Sequence, residues 1–151
     1  GQIIGITGAV ACGKSTLGKA FLCEYPYEGH ITVDGAELQN MEQSVRTGIV
    51  GYLGHDPELF NDSVENNVLM GEQKKTEDFL KMVCMAEEVN EMDDGLQTLV
   101  GNGGVRLSGG QGKRLALART LCHKKPVLVL DDPFSALDKS TERQIFANLS
   151  A

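Results

Sequence analysis

The spacing of hydrophobic positions changes several times along the chain. Ile3 to Thr7 is short, apolar and β-branched, which predicts a buried strand. Leu17, Ala20 and Phe21 then recur at helical spacing, so a helix is expected from Lys14 to Cys23. EGHITVDGAEL reads as a strand and turn, with Asp34-Gly35 as the turn signal. Gly48 to Leu53 is a further apolar strand candidate, followed by a loop rich in turn residues over 55–63.

From Thr76 to Val89 the pattern predicts one helix with Phe79, Leu80, Val83 and Ala86 on a single face. A glycine-rich loop, GLQTLVGNGGV, leads to another helix, with Leu115, Ala118, Leu121 and Cys122 on its apolar side. Lys113 and Arg114 lie off that side, and with Arg119 they read as a solvated basic face. Pro126 introduces VLVL, a fully apolar strand of the parallel-sheet kind, and a last helix is expected from Lys139 to Leu149. Strands alternating with helices predict an α/β layer fold. No internal repeat or low-complexity segment is evident.

Length and composition narrow the class. The chain has 151 residues, 41% hydrophobic and 23% charged, enough for one domain with a core and unlike a disordered segment. A net charge of −7 argues against a nucleic-acid-binding surface, though not against one local phosphate site. No apolar run approaches the roughly 18–20 residues of a membrane span, and no leader pattern is present. Cys12, Cys23, Cys84 and Cys122 form no CxxC pair and read as reduced thiols. Both ends read as cut: the first residues enter a strand directly, and the last helix stops with nothing after it.

Two segments carry recognisable chemistry. Gly8-Ala9-Val10-Ala11-Cys12-Gly13-Lys14-Ser15 fits GxxxxGK[ST] between an expected strand and an expected helix, and Thr16 follows it. Glycines let backbone N–H groups turn toward a β-phosphate, and the helix start adds partial positive charge. Lys14 would reach the β- and γ-phosphates, and the Ser15 hydroxyl would sit on Mg²⁺. Ala11 stands where many such loops have glycine; a positive φ there would cost about 1 kcal/mol. The strand Val127 to Leu130 ends in Asp131 and Asp132. Beside a phosphate loop, the first carboxylate belongs to the Mg²⁺ shell and the second is placed to orient or deprotonate an attacking water.

A third segment, Leu107-Ser108-Gly109-Gly110-Gln111, puts a serine and two glycines at a helix start. With the other two in order and at fitting spacing, it resembles the nucleotide-binding domains of ATP-binding cassette (ABC) transporters, whose LSGGQ signature it matches unchanged. Thr98 to Gly104 resembles the segment before the signature in exporters. Tyr52 to Phe60 resembles the Q-loop, with Asn61 to Val68 behind it. Ser135 to Asp138 resembles the D-loop, SALD.

The resemblance implies a P-loop NTPase fold: a mainly parallel sheet flanked by helices, with a helical signature subdomain. A RecA-like core would comprise 1–54 and 112–151, and the Q-loop and signature subdomain about 55–111. It implies an ATPase that uses ATP and Mg²⁺ and powers transport from the cytoplasmic face of a membrane. Its partners would be a transmembrane domain and a second nucleotide-binding domain, like or unlike this one, packed head to tail. Ser108, Gly109, Gly110 and Gln111 would then contact ATP held by the partner's phosphate loop, with Asp138 in the D-loop.

Two departures bear on catalysis. Asp132 occupies the place of the catalytic glutamate, and its shorter side chain predicts slow hydrolysis. His55 falls where the Q-loop glutamine would be, as a metal or water ligand or as a surface-loop histidine. The family's adenine-stacking aromatic and switch histidine fall outside the chain. A barely hydrolysing regulatory domain of the same fold is therefore a live alternative. A P-loop small-molecule kinase is a further reading, which SGGQ argues against.

Overall fold

The computed structural model describes residues 1–150. The backbone gathers into two units, 1–53 with 124–131, and 54–123 with the rest.

The first unit begins with an extended run and a tight loop that lead into helix α1 (Lys14–Ala20). A hairpin follows, β1 (Thr32–Val33) and β2 (Ala36–Glu37), turned by Asp34 at φ 50° and Gly35 at φ 80°. Two central residues with positive φ make the type I′ turn that suits a twisted hairpin. Helix α2 (Gln43–Ile49) passes directly into β3 (Val50–Leu53), so the expected strand loses Gly48 and Ile49 to the helix. β3 runs parallel to β4 (Val127–Leu130), with Val50 opposite Val127 and Leu53 opposite Leu130. At Gly51 an added Cβ would lie 2.7 Å from Leu128 Cδ2, so a larger residue there would have to displace that leucine. Gly18 brings α1 against Tyr52 and Val129 in the same way, each 3.3 Å from an added Cβ.

One expected strand does not form. Ile3 to Thr7 joins no ladder among the described residues, and Ile4 is 74% exposed. β-branched composition favours a strand only when its backbone hydrogen bonds find a partner strand, and among the described residues Ile3 to Thr7 has none.

The second unit is helical. Ser63 starts α3 (Val64–Leu69) by accepting from the Asn66 N–H at 3.0 Å. The helix expected over 76–89 is two helices, α4 (Thr76–Met82) and α5 (Ala86–Asn90). The break is a Schellman turn: Cys84 takes φ 54°, its N–H donates to the Lys81 carbonyl, and the Met85 N–H donates to that of Leu80 at 2.8 Å. Leu80 and Met85 are both buried across this turn, the contact that usually accompanies it.

Helix α6 (Gly109–Cys122) packs against α3 and α4, and it also departs from expectation. Arg114 to Ala118 are buried in succession, because a helix flanked on several sides has no solvated face at mid-length. Arg114 and Arg119 therefore do not form a solvated basic face; Arg119 is partly buried and donates to the Asn67 carbonyl at 3.0 Å. Helix α7 (Lys139–Ser150) buries Ile145, and Asn148 Nδ2 donates to the Met82 carbonyl at 2.9 Å. The core of this unit also includes Val64, Val68, Val83, Val89 and Leu115. No described helix is long and apolar enough to cross a membrane.

Candidate functional site

In the first unit the loop from Gly8 to Gly13 folds around a lysine. Ala11 at φ 62° and Gly13 at φ 94° reverse the chain twice, and Cys12 N–H donates to the Ala9 carbonyl at 3.3 Å. Lys14 Nζ, from the first residue of α1, donates to the carbonyls of Gly8 at 3.0 Å and Ala9 at 2.8 Å. Cys12 Sγ lies over Gly8, where an added Cβ would approach it to 2.7 Å. Ala11 thus takes the left-handed, strained backbone that its place in the motif predicts. Gly8 to Gly13, Ser15 and Thr16 are all exposed.

The acidic strand end meets this loop. Asp131 N–H donates to the Leu53 carbonyl at 2.8 Å, which extends the β3–β4 ladder by one bond and holds the aspartate. Ser15 Oγ donates to Asp131 Oδ1 at 3.1 Å, and the Tyr52 hydroxyl donates to Oδ2 at 3.2 Å. Partial burial, then the Asp131 charge, pushes the Tyr52 phenol up to about 12. A hydroxyl and a carboxylate this close are hard oxygen donors of the kind Mg²⁺ takes, alongside phosphate and water. These residues fit such an ion.

In the second unit Asp132 adopts φ 53°, an uncommon backbone for a non-glycine residue. His55 Nδ1 lies 3.3 Å from Asp132 Oδ2, and its Nε2 lies 3.9 Å from Asp56 Oδ1. The nearest charged neighbours of His55 in its own unit are thus two carboxylates.

The serine–glycine segment forms a reciprocal helix cap. Gln111 N–H donates to Ser108 Oγ at 3.2 Å, and Ser108 N–H donates to Gln111 Oε1 at 2.9 Å. The two glycines have different surroundings. An added Cβ at Gly109 would meet only Ala136 Cβ at 4.0 Å, whereas at Gly110 it would lie 2.8 Å from the Ala136 carbonyl oxygen. Gly110 is therefore needed by a backbone of its own chain. Lys113 Nζ donates to Ser135 Oγ in the same turn. Asp138 caps α7: Oδ1 accepts from the N–H groups of Ser140 and Thr141 at 2.9 and 3.0 Å, and Oδ2 from Thr141 Oγ1 at 2.7 Å. The hydroxyls of Ser140 and Thr141 lead in holding its carboxyl far below the usual range.

Sequence reasoning missed Asn67. It is fully buried, accepts from Phe60 N–H at 2.9 Å, and donates to the Phe60 and Ser63 carbonyls at 3.0 Å each. Arg119 closes the same loop by donating to the carbonyls of Asn67 and Glu58, with its guanidinium 4.8 Å from the Phe60 ring centre. The only sequence signal is an asparagine at a position of apolar periodicity, three residues after Val64 and one before Val68.

A phosphate loop backed by a serine–aspartate pair defines a P-loop nucleotide-binding fold. Comparison with known proteins gives the family. The profile of the ABC transporter family matches residues 1–135, and the chain belongs to that family. It is 37% identical, over 99% of its length and 26% of the relative's, to the probable multidrug resistance ABC transporter ATP-binding/permease protein YheI of Bacillus subtilis. It is 35% identical to the ATP-dependent lipid A-core flippase of Thiobacillus denitrificans, over 99% of this chain and 27% of that one. A solved structure of a bacterial Atm1-family ABC exporter with ATP bound superposes with a TM-score of 0.85 and 32% identity. That match covers 93% of this chain and 26% of the exporter. The chain spans about a quarter of the length of these relatives. Its fold is that of an ABC ATPase domain.

Proposed function

We propose that this chain binds and hydrolyses ATP as the nucleotide-binding domain of an exporter-type ABC transporter, at the cytoplasmic face of a membrane. The observation that carries the reading is the Ser15–Asp131 pair at 3.1 Å behind a loop that holds Lys14. Residues 1–54 and 112–151 would serve as the nucleotide core, and about 55–111 as the Q-loop and signature subdomain. Gly8, Ala9, Val10, Ala11, Cys12, Gly13 and Thr16 would offer backbone and side-chain donors to the phosphates. Lys14 would leave the loop carbonyls for the β- and γ-phosphates. Mg²⁺, held by Ser15 and Asp131, would neutralise phosphate charge.

Asp132 would orient the water that attacks the γ-phosphate in line, with His55 bearing on that carboxylate or on the metal site. Ser108, Gly109, Gly110 and Gln111 of a second nucleotide-binding domain would face the same phosphates head to tail, and Asp138 would order the turn beside them. A transmembrane domain would receive the closure through residues 55–60. The relatives named as an ATP-dependent flippase and a multidrug transporter favour a working ATPase over a purely regulatory domain, and family membership sets aside the kinase reading.

Equilibrium titration with ATP, with and without Mg²⁺, tests the reading. Saturable binding that Lys14→Ala abolishes is the expected result; equal binding by both chains would sink it. Turnover is expected to rise at least about tenfold in Asp132→Glu, because the longer side chain recovers roughly one bond length of reach. An unchanged rate would remove Asp132 from the water-positioning role.

A further inference from the structure

A cluster of charged and amide groups lies behind the serine–glycine cap. The Glu88 carboxylate, on α5, receives three donors from α6. Arg114 Nη1 reaches Oε1 at 2.6 Å, Arg114 Nη2 reaches Oε2 at 2.9 Å, and Gln111 Nε2 reaches Oε2 at 3.0 Å. Arg114 is buried, and its Nη1 also donates to the Cys84 carbonyl at the turn between α4 and α5. The guanidinium holds the Glu88 carboxyl below the usual carboxylate range. A buried arginine needs such a partner whatever the protein does.

The bond from Gln111 goes further than charge pairing. An amide side chain has one accepting and one donating end, and its neighbours decide which way round it sits. With Nε2 turned to the Glu88 carboxylate, Oε1 is left to accept the Ser108 N–H. A flipped amide would set oxygen against carboxylate and N–H against N–H, so Glu88 makes the orientation one-sided. Ser108 Oγ already accepts from Gln111 N–H, and the Ser108 N–H is engaged by Gln111. The hydroxyl hydrogen is then the donor that Ser108 retains for an incoming anion.

We propose that Glu88 is a positioning residue that sets the conformation of Ser108–Gln111 through the Gln111 amide, so that the Ser108 hydroxyl is presented to nucleotide phosphate on a second domain. The functional half of this rests on the reading that the segment contacts the partner's ATP. The Schellman turn at Cys84 is what aims α5 so that Glu88 meets α6.

Removing Glu88 alone would leave Arg114 as an unpaired buried charge, so the test uses two double variants of the full chain. Glu88→Gln with Arg114→Met keeps an acceptor for Gln111 without any charge. Glu88→Met with Arg114→Met keeps the bulk and removes the acceptor. Amide hydrogen exchange is measured first, without nucleotide. In the methionine pair the Ser108 N–H should exchange about tenfold faster, the scale of one lost hydrogen bond, while Ala116 to Ala118 keep wild-type protection. In the glutamine pair Ser108 should match wild type.

ATP-dependent association of the chain, followed by sedimentation, should survive in the glutamine pair and be lost in the methionine pair. Equal Ser108 exchange in both doubles overturns the proposal, as does loss of protection along all of α6. If the wild-type chain does not associate with ATP, the partner reading of the segment fails. That failure is distinct, because the exchange comparison needs no nucleotide.

Discussion

The Tyr52 hydroxyl donates a hydrogen bond to Asp131, and the phenol carries the pH dependence. Partial burial and the neighbouring carboxylate keep the phenol neutral up to about 12, against about 10 in an unfolded chain. Because the folded value is the higher one, this group's contribution is complete below pH 10 and is lost as pH rises toward 12. Stability measured by urea unfolding should therefore fall more steeply between pH 10 and 12 in the wild type than in Tyr52→Phe. Parallel curves would mean that the hydroxyl and Asp131 are not coupled. The same bond holds Asp131 Oδ2 on the side away from Ser15, so the aspartate meets the phosphate loop with Oδ1. Ala11 bears the opposite kind of cost, a left-handed backbone with a Cβ to accommodate.

Among the elements, the loop 58–63 shows how a segment without regular structure is made rigid. Asn67 reaches back from α3 to bond both the N–H and the carbonyl of Phe60, and Arg119 grips the loop from α6. Asn67→Ala should cost about 1–3 kcal/mol, since it strands the buried Ser63 carbonyl and half-buried backbone groups of the loop. Urea unfolding would show this, and a loss under about 0.5 kcal/mol would mean that water replaces the amide. The same elements mark what can be read from a sequence and what cannot. The phosphate loop, the Asp34-Gly35 turn and the strand before Asp131 are local patterns, so a few adjacent residues suffice to find them. The break at Cys84 is hidden because its left-handed residue is not glycine, and helical periodicity runs across it undisturbed. Arg114 reads as solvated in the sequence because its partner, Glu88, lies 26 positions away. Ile3 to Thr7 resembles a strand because composition reports the chain's preference and not whether the segment joins a ladder.

For the molecule as a whole, an extended run near the start of the chain leaves apolar side chains exposed. Ile3, Ile4 and Ile6 are all more than half exposed on an unpaired extended backbone, a template for association between copies. The net charge of −7 opposes that association at neutral pH, and the opposition fades toward the pI near 4.9. Light scattering should therefore rise as pH approaches about 5. Ile4→Lys with Ile6→Lys should suppress it at neutral pH, even though the change brings net charge nearer zero. Increased scattering in that variant would show that charge, not the apolar run, governs association.

Gly110 looks toward its own chain, with the Ala136 carbonyl where a side chain would have to go. In evolutionary terms this ties two stretches separated by 26 positions into one unit of inheritance. A lineage that replaces Gly110 must also move the turn at Ala136–Leu137, and a lineage that remodels that turn loses the reason to keep glycine. Drift at either place should be recorded at the other, as paired change and not as independent wear.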